Sequence, residues 1–377
     1  MKRISLVALA LCTCCTSVAW AQTPTCKHSA FWSEFHKENM QRWNQCESVL
    51  NVNNVKNLHQ KWHYPTSGFV VFSSPAVANG VVYLGSGYPS GSVYAVKAST
   101  GALLWEHITG GYAYSSPAVA NGMVYGGLSG GKVYALNAST GAELWTYTTG
   151  GYVESSPAVA NGVVYVGSSD GNVYALNAKT GAKLWSYATG NYVNSSPAVA
   201  DGVVYVGSND FNVYALNALT GAKLWSYTTG SYVQSSPAVA NGVVYVGSDD
   251  NNVYALNAST GNLLWTYTTG DRVYSSPAVA NGVVYFGSLD RNVYALNAKT
   301  GARLWSYTVS GYVESSPAVA NGVVYFGGGG SLYALNASTG ALLWGDHRGT
   351  IEDSSPAVAN GVVYVCGRYK LLAFGLK

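Results

Sequence analysis

One position in the sequence recurs eight times and carries side chains that could bind a ligand. It lies directly before each copy of Ser-Ser-Pro-Ala-Val-Ala, and its residues are Phe72, Tyr114, Glu154, Asn194, Gln234, Tyr274, Glu314 and Asp353. Carboxylate and amide oxygens bind cations and hydrogen-bond donors, while aromatic rings offer flat apolar contacts. Ser, Ala and Lys never occupy this position. These eight residues are therefore the candidate ligand-binding residues of the chain.

Other reactive side chains form no recognisable site. The six cysteines have no spacing typical of metal binding, and the six histidines share no position within the repeats. No Ser/His/Asp arrangement typical of nucleophilic catalysis stands out either. The sequence therefore predicts no metal site and identifies no catalytic residue.

The elements that position the eight residues follow from an internal repeat. Successive copies of Ser-Ser-Pro-Ala-Val-Ala are separated by 42, 40, 40, 40, 40, 40 and 39 residues. Tryptophans recur with the same spacing at Trp62, Trp105, Trp145, Trp185, Trp225, Trp265, Trp305 and Trp344. A period near 40 residues is typical of a propeller or a solenoid.

One unit, residues 155–192, predicts four short strands. Ser-Ser-Pro-Ala-Val-Ala and Val-Val-Tyr-Val-Gly are extended runs separated by Asn161-Gly162, a strong hairpin signal. A third strand, Asn-Val-Tyr-Ala-Leu-Asn, is separated from a fourth, Lys-Leu-Trp-Ser-Tyr-Ala-Thr, by Thr180-Gly181. Pro and β-branched runs in every copy argue against helical repeats. The predicted fold class is therefore all-β, an eight-bladed β-propeller of four-stranded antiparallel blades.

The two ends of the repeat region predict how the ring closes. The region opens with an outer-strand motif at residues 59–62 and ends after a third-strand motif at residues 370–373. The last blade therefore lacks an outer strand, and an N-terminal outer strand would complete it and remove exposed sheet edges. The predicted propeller spans residues 57–377.

Chain direction predicts that the eight candidate residues share one face. The outer strand ends on this face, the inner strand leaves it and the second strand returns to it, whereas the uniform Asn-Gly and Thr-Gly turns lie on the other face. The innermost strands line the axis, so the eight residues should ring the channel mouth as a mildly acidic, aromatic-walled funnel. The tryptophans share one outer-strand position and are interpreted as packing between neighbouring blades.

A second variable patch, the turn after the second strand, falls on the same face as the candidate residues. The alternative explanation for the variation at the candidate residues and at these turns is sequence drift at solvent-exposed positions. Drift accounts well for the variation of the turns. The patch includes Tyr88-Pro89, Asp170, Asn209-Asp210-Phe211, Asp249-Asp250, Leu289-Asp290-Arg291 and Arg368-Tyr369.

Composition excludes two classes of function. The net charge of +3 includes Lys2 and Arg3, and without them 18 basic residues stand against 17 acidic ones. A partner held by phosphate contacts, such as a nucleic acid, is therefore not expected. After residue 21 no apolar run approaches the roughly 20 residues needed to span a bilayer, so no transmembrane segment is predicted.

The N-terminus predicts export. A basic start, an apolar run from Ile4 to Cys15 and Ala19-Trp20-Ala21 are typical of a cleaved bacterial signal peptide, residues 1–21, without a lipoprotein pattern. A lead-in segment, residues 22–56, would follow in a periplasmic or secreted protein. That oxidising compartment allows Cys26 and Cys46 to form a disulfide, worth about 3 kcal/mol from loop entropy. Cys366 follows a Val-Val-Tyr-Val run and is expected to be a buried, inert thiol.

The repeat resembles a known family. The unit from Ser155 to Trp185 resembles the pyrroloquinoline quinone (PQQ), or quinoprotein, propeller repeat, and its Ala-x-x-Ala-x-Thr-Gly-x-x-x-Trp end is similar to the tryptophan-docking motif of that family. The segment from Trp43 to Trp62 also resembles the lead-in of PQQ-repeat proteins. The family includes PQQ-dependent alcohol dehydrogenases and the propeller lipoprotein of the outer-membrane β-barrel assembly complex. The resemblance therefore leaves the function open.

Two functions agree with this resemblance. In the family's dehydrogenases PQQ lies on the axis with Ca²⁺, for which Glu154, Asn194, Glu314 and Asp353 are suitable ligands. However, no candidate position holds an Arg or Lys to pair with the carboxylates of PQQ, and the only adjacent cysteine pair, Cys14-Cys15, leaves with the signal peptide. We therefore expect an exported, non-enzymatic propeller, without a cofactor, that binds a protein or another ligand through its variable axial face. The alternative is a PQQ- and Ca²⁺-dependent dehydrogenase of alcohols or sugars.

Overall fold

The computed structural model describes residues 32–37, 40–70, 72–89, 91–351 and 353–377. The signal peptide predicted at residues 1–21 and Cys26 lie outside these residues. Cys46 is disulfide-bonded, and its pairing with Cys26 stays a prediction. The thiol of Cys366 is free and buried, as expected, and burial raises its pKa to about 12.

Eight antiparallel sheets form a β-propeller, which confirms the predicted fold. Each blade runs from an inner strand at the axis through a second and a third strand to an outer strand. Blade 1 contains the inner strand Ala76–Ala78, and the blades are numbered along the chain. Blade 7 has a fifth strand, Trp43–Asn44, parallel to its inner strand, and a short 3-10 helix spans Val55–Asn57.

The strands are short and recur at equivalent positions in each repeat, with the longest, the outer strand of blade 7, spanning ten residues. The inner strands are Ala76–Ala78, Ala118–Ala120, Ala158–Ala160, Ala198–Ala200, Ala238–Ala240, Ala278–Ala280, Ala318–Ala320 and Ala357–Ala359. The second strands are Val81–Ser86, Met123–Gly127, Val163–Gly167, Val203–Gly207, Val243–Gly247, Val283–Gly287, Val323–Gly328 and Val362–Gly367. The third strands are Ser92–Lys97, Lys132–Asn137, Asn172–Asn177, Asn212–Asn217, Asn252–Asn257, Asn292–Asn297, Gly330–Asn336 and Lys370–Gly375. The outer strands are Leu103–Ile108, Glu143–Thr148, Lys183–Ala188, Lys223–Thr228, Leu263–Thr268, Arg303–Thr308, Leu342–Ile351 and, for blade 8, His59–Pro65.

The first hairpin of each blade depends on its Asn-Gly turn. In blade 3 Asn161 has φ 50° and Gly162 has φ 77°, so both occupy the left-handed region that a tight two-residue hairpin requires. The Ala178 N–H, in the Thr-Gly turn, donates to the Gly162 carbonyl at 2.9 Å. The two uniform turns therefore lie on one face, as predicted, and this face is called the Asn-Gly face.

The repeated tryptophans join neighbouring blades. The Trp105 indole N–H donates to the Ala138 carbonyl of blade 2 at 2.9 Å, and a Cβ built at Gly141 would lie only 2.7 Å from the Trp105 ring. Equivalent indole bonds leave Trp62, Trp145, Trp185, Trp225, Trp265 and Trp305. Trp344 instead packs against Phe374 of the next blade, with ring centroids 5.2 Å apart. The structural interpretation of the tryptophans is confirmed.

The ring closes as the sequence predicts. The outer strand His59–Pro65 pairs antiparallel with Lys370–Gly375, and Trp62 stands opposite Ala373. The first strand of the propeller therefore completes the last blade and covers its sheet edge. Among the described residues, no helix has the length and hydropathy needed to cross a membrane.

Candidate functional site

The candidate residues surround one funnel on the axis. The cavity has a volume of about 350 Å³, and seven of the eight line it directly. Tyr114 lines an adjoining recess together with Phe72 and Glu154. The inner strands carry these side chains to the axis, because each residue lies just before the Ser-Ser-Pro entry to its strand. The structure thus brings together all eight residues; whether they bind a ligand stays a prediction.

A closed ring of serines forms the lower wall of the funnel. The N–H of the second serine in each Ser-Ser-Pro donates to the Oγ of its counterpart in the next blade at 2.9–3.0 Å, and the last bond returns from Ser355 to Ser74. These serines are at least 94% buried, and all of them line the funnel. The ring consists of Ser74, Ser116, Ser156, Ser196, Ser236, Ser276, Ser316 and Ser355.

The first serine of each pair supports the same wall. In blade 4 the Ser195 Oγ accepts the Gly207 N–H at 3.0 Å and donates to the Ser235 carbonyl at 3.1 Å. In every blade except blade 2, the Ser-Ser pair thus links its own second strand to the neighbouring blade among the described residues. Sequence reasoning used these serines only to mark the repeat and missed their role, because residues that never vary offer no contrast between copies.

A stretch of the lead-in segment, residues 32–37 and 40–44, crosses the axis beneath the serine ring, and we call it the belt. Among the described residues, the backbone or side chains of the belt form hydrogen bonds with the inner strands of every blade except blade 4. The backbone N–H groups of Trp32 and Val77 each donate to the carbonyl of the other residue. Phe35 of the belt lines the funnel. The belt receives hydrogen bonds from the N–H groups of Val77, Val119, Val159, Val239, Val279 and Val319. The axial channel is therefore closed below the funnel by the protein's own chain.

Arg42 fixes the belt to blades 7 and 8. Its fully buried guanidinium donates to the carbonyls of Pro317 (2.9 Å), Ser316 (3.3 Å), Pro356 (3.2 Å) and Phe35. It also stacks on the Phe35 ring, 4.5 Å from the centroid. Burial lowers the Arg42 pKa to about 9, so the guanidinium stays charged at neutral pH.

His36 lies beside these groups in the belt. It is 2% exposed, and neither ring nitrogen has a hydrogen-bond partner of good geometry among the described residues. Burial and the charge of Arg42 lower the His36 pKa to about 3, so the imidazole is neutral at physiological pH.

Carboxylates give the funnel wall its charge. Partial loss of hydration raises the pKa of Glu154 and of Glu314. The carboxylate of Asp249 accepts a hydrogen bond from the Gln234 amide at 3.2 Å, and burial raises the Asp249 pKa to about 6. On the same wall the exposed Arg272 donates to the Tyr274 hydroxyl at 3.0 Å. At neutral pH the wall is therefore predominantly anionic.

Aromatic rings form one sector of the funnel mouth. Phe72 and Tyr114 make an edge contact with centroids 5.2 Å apart, and Tyr114, Tyr112 and Tyr88 continue the series at 5.5 and 6.3 Å. Phe72 and Tyr88 are more than half exposed. This sector offers apolar and π surface directly beside the carboxylate wall.

Although the turn after the second strand varies between blades, its aspartates have a structural role in blades 3 to 6. The Asp210 Oδ2 accepts from the Tyr214 hydroxyl and from the Gly190 N–H, both at 2.6 Å, and Oδ1 accepts from the Asn212 N–H at 3.0 Å. Burial would raise the Asp210 pKa, but these hydrogen bonds outweigh it and lower the pKa. We call this arrangement the aspartate clamp, and it recurs at Asp170, Asp250 and Asp290. The four aspartates are thus structural; the exposed residues around them are what varies.

The funnel residues do not fit PQQ with Ca²⁺. The four ligands suitable for Ca²⁺ form two pairs on opposite sides of the ring, Glu154 with Asn194 and Glu314 with Asp353. Within the described residues, no group of three or more His, Cys, Asp or Glu side chains could hold a metal ion. The tricarboxylate of PQQ would also face an anionic wall with Arg272 as its cation.

Comparison with known proteins supports the fold and the family. The family model of the outer membrane protein assembly factor BamB matches residues 91–236 and 210–377. The crystal structure of BamB from Moraxella catarrhalis is similar with a TM-score of 0.72 and 20% identity, covering 85% of this chain and 98% of that one. A quinohemoprotein alcohol dehydrogenase from Pseudomonas putida has a TM-score of 0.80 and 17% identity, covering 93% and 81%.

A curated relative matches only locally. Lupanine 17-hydroxylase [cytochrome c] from a Pseudomonas species is 32% identical over 111 residues, which is 28% of this chain and 16% of that protein. The match therefore spans about one sixth of that relative's length.

Proposed function

The chain belongs to the family of the outer membrane protein assembly factor BamB, and on that premise we propose that it is an exported, non-enzymatic propeller that binds a protein or another ligand through its funnel face. The observation that carries this proposal is the convergence of the one variable inner position on a single funnel. Neighbouring residues that hold the blades together, such as the Ser-Ser-Pro residues, are uniform, whereas the position that faces the funnel varies.

The chemistry of the funnel favours binding over catalysis. Its walls carry carboxylates, amides and aromatic rings, which are groups that recognise a ligand. The belt occupies the axis below, where a deeper reaction chamber would otherwise extend. The family name refers to the outer membrane, and together with the signal-like N-terminus this supports a periplasmic or secreted location.

The proposal is tested by matched substitutions on the two faces. Glu154, Asn194, Gln234 and Glu314 are replaced together by Ala, and the control replaces Lys179, Lys299 and Ser259 on the Asn-Gly face. Both variants should melt within a few degrees of the parent, because these side chains lie outside the strands and such substitutions usually change stability by less than about 0.5 kcal/mol each. Ligand capture from a native extract should fall only in the first variant. Equal capture by the two variants would overturn the proposal and favour drift.

A PQQ-dependent dehydrogenase is the second candidate, favoured by the similarity of the fold to the quinohemoprotein alcohol dehydrogenase from Pseudomonas putida. It predicts that purified protein titrated with PQQ and Ca²⁺ acquires quinone absorbance and reduces a dye with an alcohol or sugar as donor. Saturable quinone binding with dye reduction would replace the binding proposal. The anionic wall supports the opposite expectation, that neither signal appears.

A further inference from the structure

We propose that the funnel accepts a cationic side chain, an arginine or lysine presented by an extended basic segment of a partner protein. This inference rests on the proposed function, because it names the chemistry of the ligand bound by the same face. It concerns the charge of the funnel, the placement of its carboxylates and the polar atoms at its lower wall.

Negative charge exceeds positive charge around the funnel. The carboxylates are Glu154, Glu314 and Asp353, with Asp249 hydrogen-bonded to Gln234 on the wall. The described residues that line this cavity include no Lys or Arg, and Arg272 lies beside it, hydrogen-bonded to the Tyr274 hydroxyl. Three lining carboxylates without a lining cation make the cavity wall negatively charged, which favours a cationic ligand.

The placement of the carboxylates selects an organic cation rather than a metal ion. Glu154 belongs to blade 3 and Glu314 to blade 7, so they face each other across the axis of an eight-bladed ring. Metal chelation needs several ligands on one side, and the described residues contain no such group. A guanidinium or ammonium on a flexible stem can enter along the axis and donate to a carboxylate on either side.

The serine ring provides a second, independent set of polar atoms. Each Oγ accepts one backbone N–H and keeps a second lone pair. Because these serines line the funnel, that lone pair can accept a hydrogen bond from a cationic group in the cavity.

The protein already binds one guanidinium in the same channel. Arg42 inserts from below and is held by the Phe35 ring and by carbonyls of the Ser-Pro residues of blades 7 and 8. Above the serine ring the walls add carboxylates and the rings of Phe72 and Tyr274, which suit cation–π contact.

The Asn-Gly face has the opposite charge. Its turns and adjoining strand ends carry the exposed cations Lys97, Lys179, Lys183, Lys223, Lys299 and Arg303. Among the described residues of these turns and strand ends, the exposed carboxylates are Glu143 and Asp201, and the buried Glu34 and Glu47 also lie against this face. A basic segment approaching the propeller is thus attracted to the funnel face and repelled from the other, which orients the encounter.

The test measures binding of a defined peptide by isothermal titration calorimetry at pH 7.5 and low salt. The probe is a blocked pentapeptide, acetyl-Gly-Arg-Gly-Arg-Gly-amide, and its neutral counterpart has citrulline in place of arginine. We expect the arginine peptide to bind, the citrulline peptide not to bind, and the double variant Glu154→Gln/Glu314→Gln to weaken binding about ten-fold or more, since charge-assisted hydrogen bonds are lost. The control variant Glu143→Gln/Asp201→Asn removes the same charge from the Asn-Gly face and should change binding less than two-fold.

A second variant tests the same inference if Glu154→Gln/Glu314→Gln does not fold. Asn194→Lys places a cation in the funnel and should abolish binding of the arginine peptide without removing a carboxylate. Equal weakening by the funnel and control pairs, binding of the citrulline peptide, or no binding by the parent would each overturn the inference. If the funnel variants lose a captured ligand that is not basic, this inference fails while the proposed function stands. If PQQ and Ca²⁺ support dye reduction, the proposed function fails first.

Discussion

Blades 3 to 6 and the four blades around the seam, 7, 8, 1 and 2, share one repeat but are held together differently. In blades 3 to 6 an aspartate clamp ties each second-strand turn to the third strand and to the preceding blade. The blades around the seam lack this aspartate, and blades 7 and 8 are held instead by residues that are distant in sequence. Blade 8 takes its outer strand from residues 59–65, and Arg42 joins the belt to blades 7 and 8.

The difference shows where the molecule has freedom to vary. Turns that contain the clamp are fixed by local hydrogen bonds, and only the exposed residues beside the aspartate change. The turns at the seam lack the aspartate. In blade 1 the Phe69 backbone holds the turn instead, because it accepts the Gly87 N–H at 2.7 Å and donates to the Tyr88 carbonyl at 3.0 Å, and the Tyr88 ring contacts Tyr112 of the funnel sector. The aromatic part of the funnel therefore lies beside a turn that is held by backbone bonds to another segment and not by an aspartate.

The largest effect is expected from removing the distant chain on which the seam depends. Deletion of residues 22–66 exposes the edge of Lys370–Gly375 and leaves the inner-strand N–H groups without the belt. We expect aggregation or loss of a cooperative thermal transition, because an exposed edge invites pairing with other chains. Circular dichroism and size-exclusion chromatography measure both. A truncated protein that melts like the parent and stays monomeric would contradict the seam model.

A moderate effect is expected from removing one clamp. Asp210→Ala leaves the Tyr214 hydroxyl and the Gly190 N–H without their acceptor and should lower the free energy of unfolding by about 1–3 kcal/mol. Asn209→Ala in the same turn is the control, since the Asn209 side-chain oxygen is buried without a hydrogen-bond partner among the described residues. Urea denaturation compares the two variants.

The pH dependence of the Asp210 effect follows from its lowered pKa. Because the folded-state pKa lies below the ordinary aspartate value of 3.8, the stabilisation is fully present above about pH 4 and is lost as the pH falls through the folded-state value. The difference between parent and Asp210→Ala should therefore shrink on acidification below pH 4. A difference that is constant from pH 7 to pH 3 would show that the loss comes from packing and not from the ionised clamp.

The smallest effect is expected from adding a clamp to a seam blade. In blade 2 Gly130 stands where blades 3 to 6 have the aspartate, and the buried Tyr134 hydroxyl has no hydrogen-bond partner among the described residues. A Cβ built at Gly130 meets nothing within 4 Å, whereas the Tyr134 hydroxyl fills the space above Gly126. Gly130→Asp should raise the free energy of unfolding by about 1 kcal/mol as the Tyr134 hydroxyl turns toward the new carboxylate. In a Tyr134→Phe background the gain should disappear, and an equal gain there would mean that the clamp had not formed.

The architecture follows from the sequence because one signal is repeated eight times. Each copy predicts the same four strands, and the missing outer strand of blade 8 predicts ring closure by residues 59–65. The funnel was also predictable, since strand direction alone places the residues before Ser-Ser-Pro at one end of the axis.

The belt and the clamps were not predictable in the same way. The belt does not repeat, and most of its contacts are made by backbone groups, which carry no residue-type signal. The clamp aspartates were grouped with variable neighbours such as Phe211 and Asn209, although the aspartate itself is constant in blades 3 to 6. A side chain's partners, and not its place in a variable turn, decide whether it is free to meet a ligand.

The belt also fits only one number of blades in the ring. Units of 40 nearly identical residues recombine readily, and a chain that gained or lost one unit would still form sound individual blades. The belt, however, meets blades 1, 2 and 3 and then 5, 6, 7 and 8 in fixed order along a stretch of 13 residues from Trp32 to Asn44. In a ring of seven or nine, these contacts would fall on the wrong blades, and Arg42 would miss its carbonyls. A short non-repetitive segment thus sets the circumference of a repetitive protein.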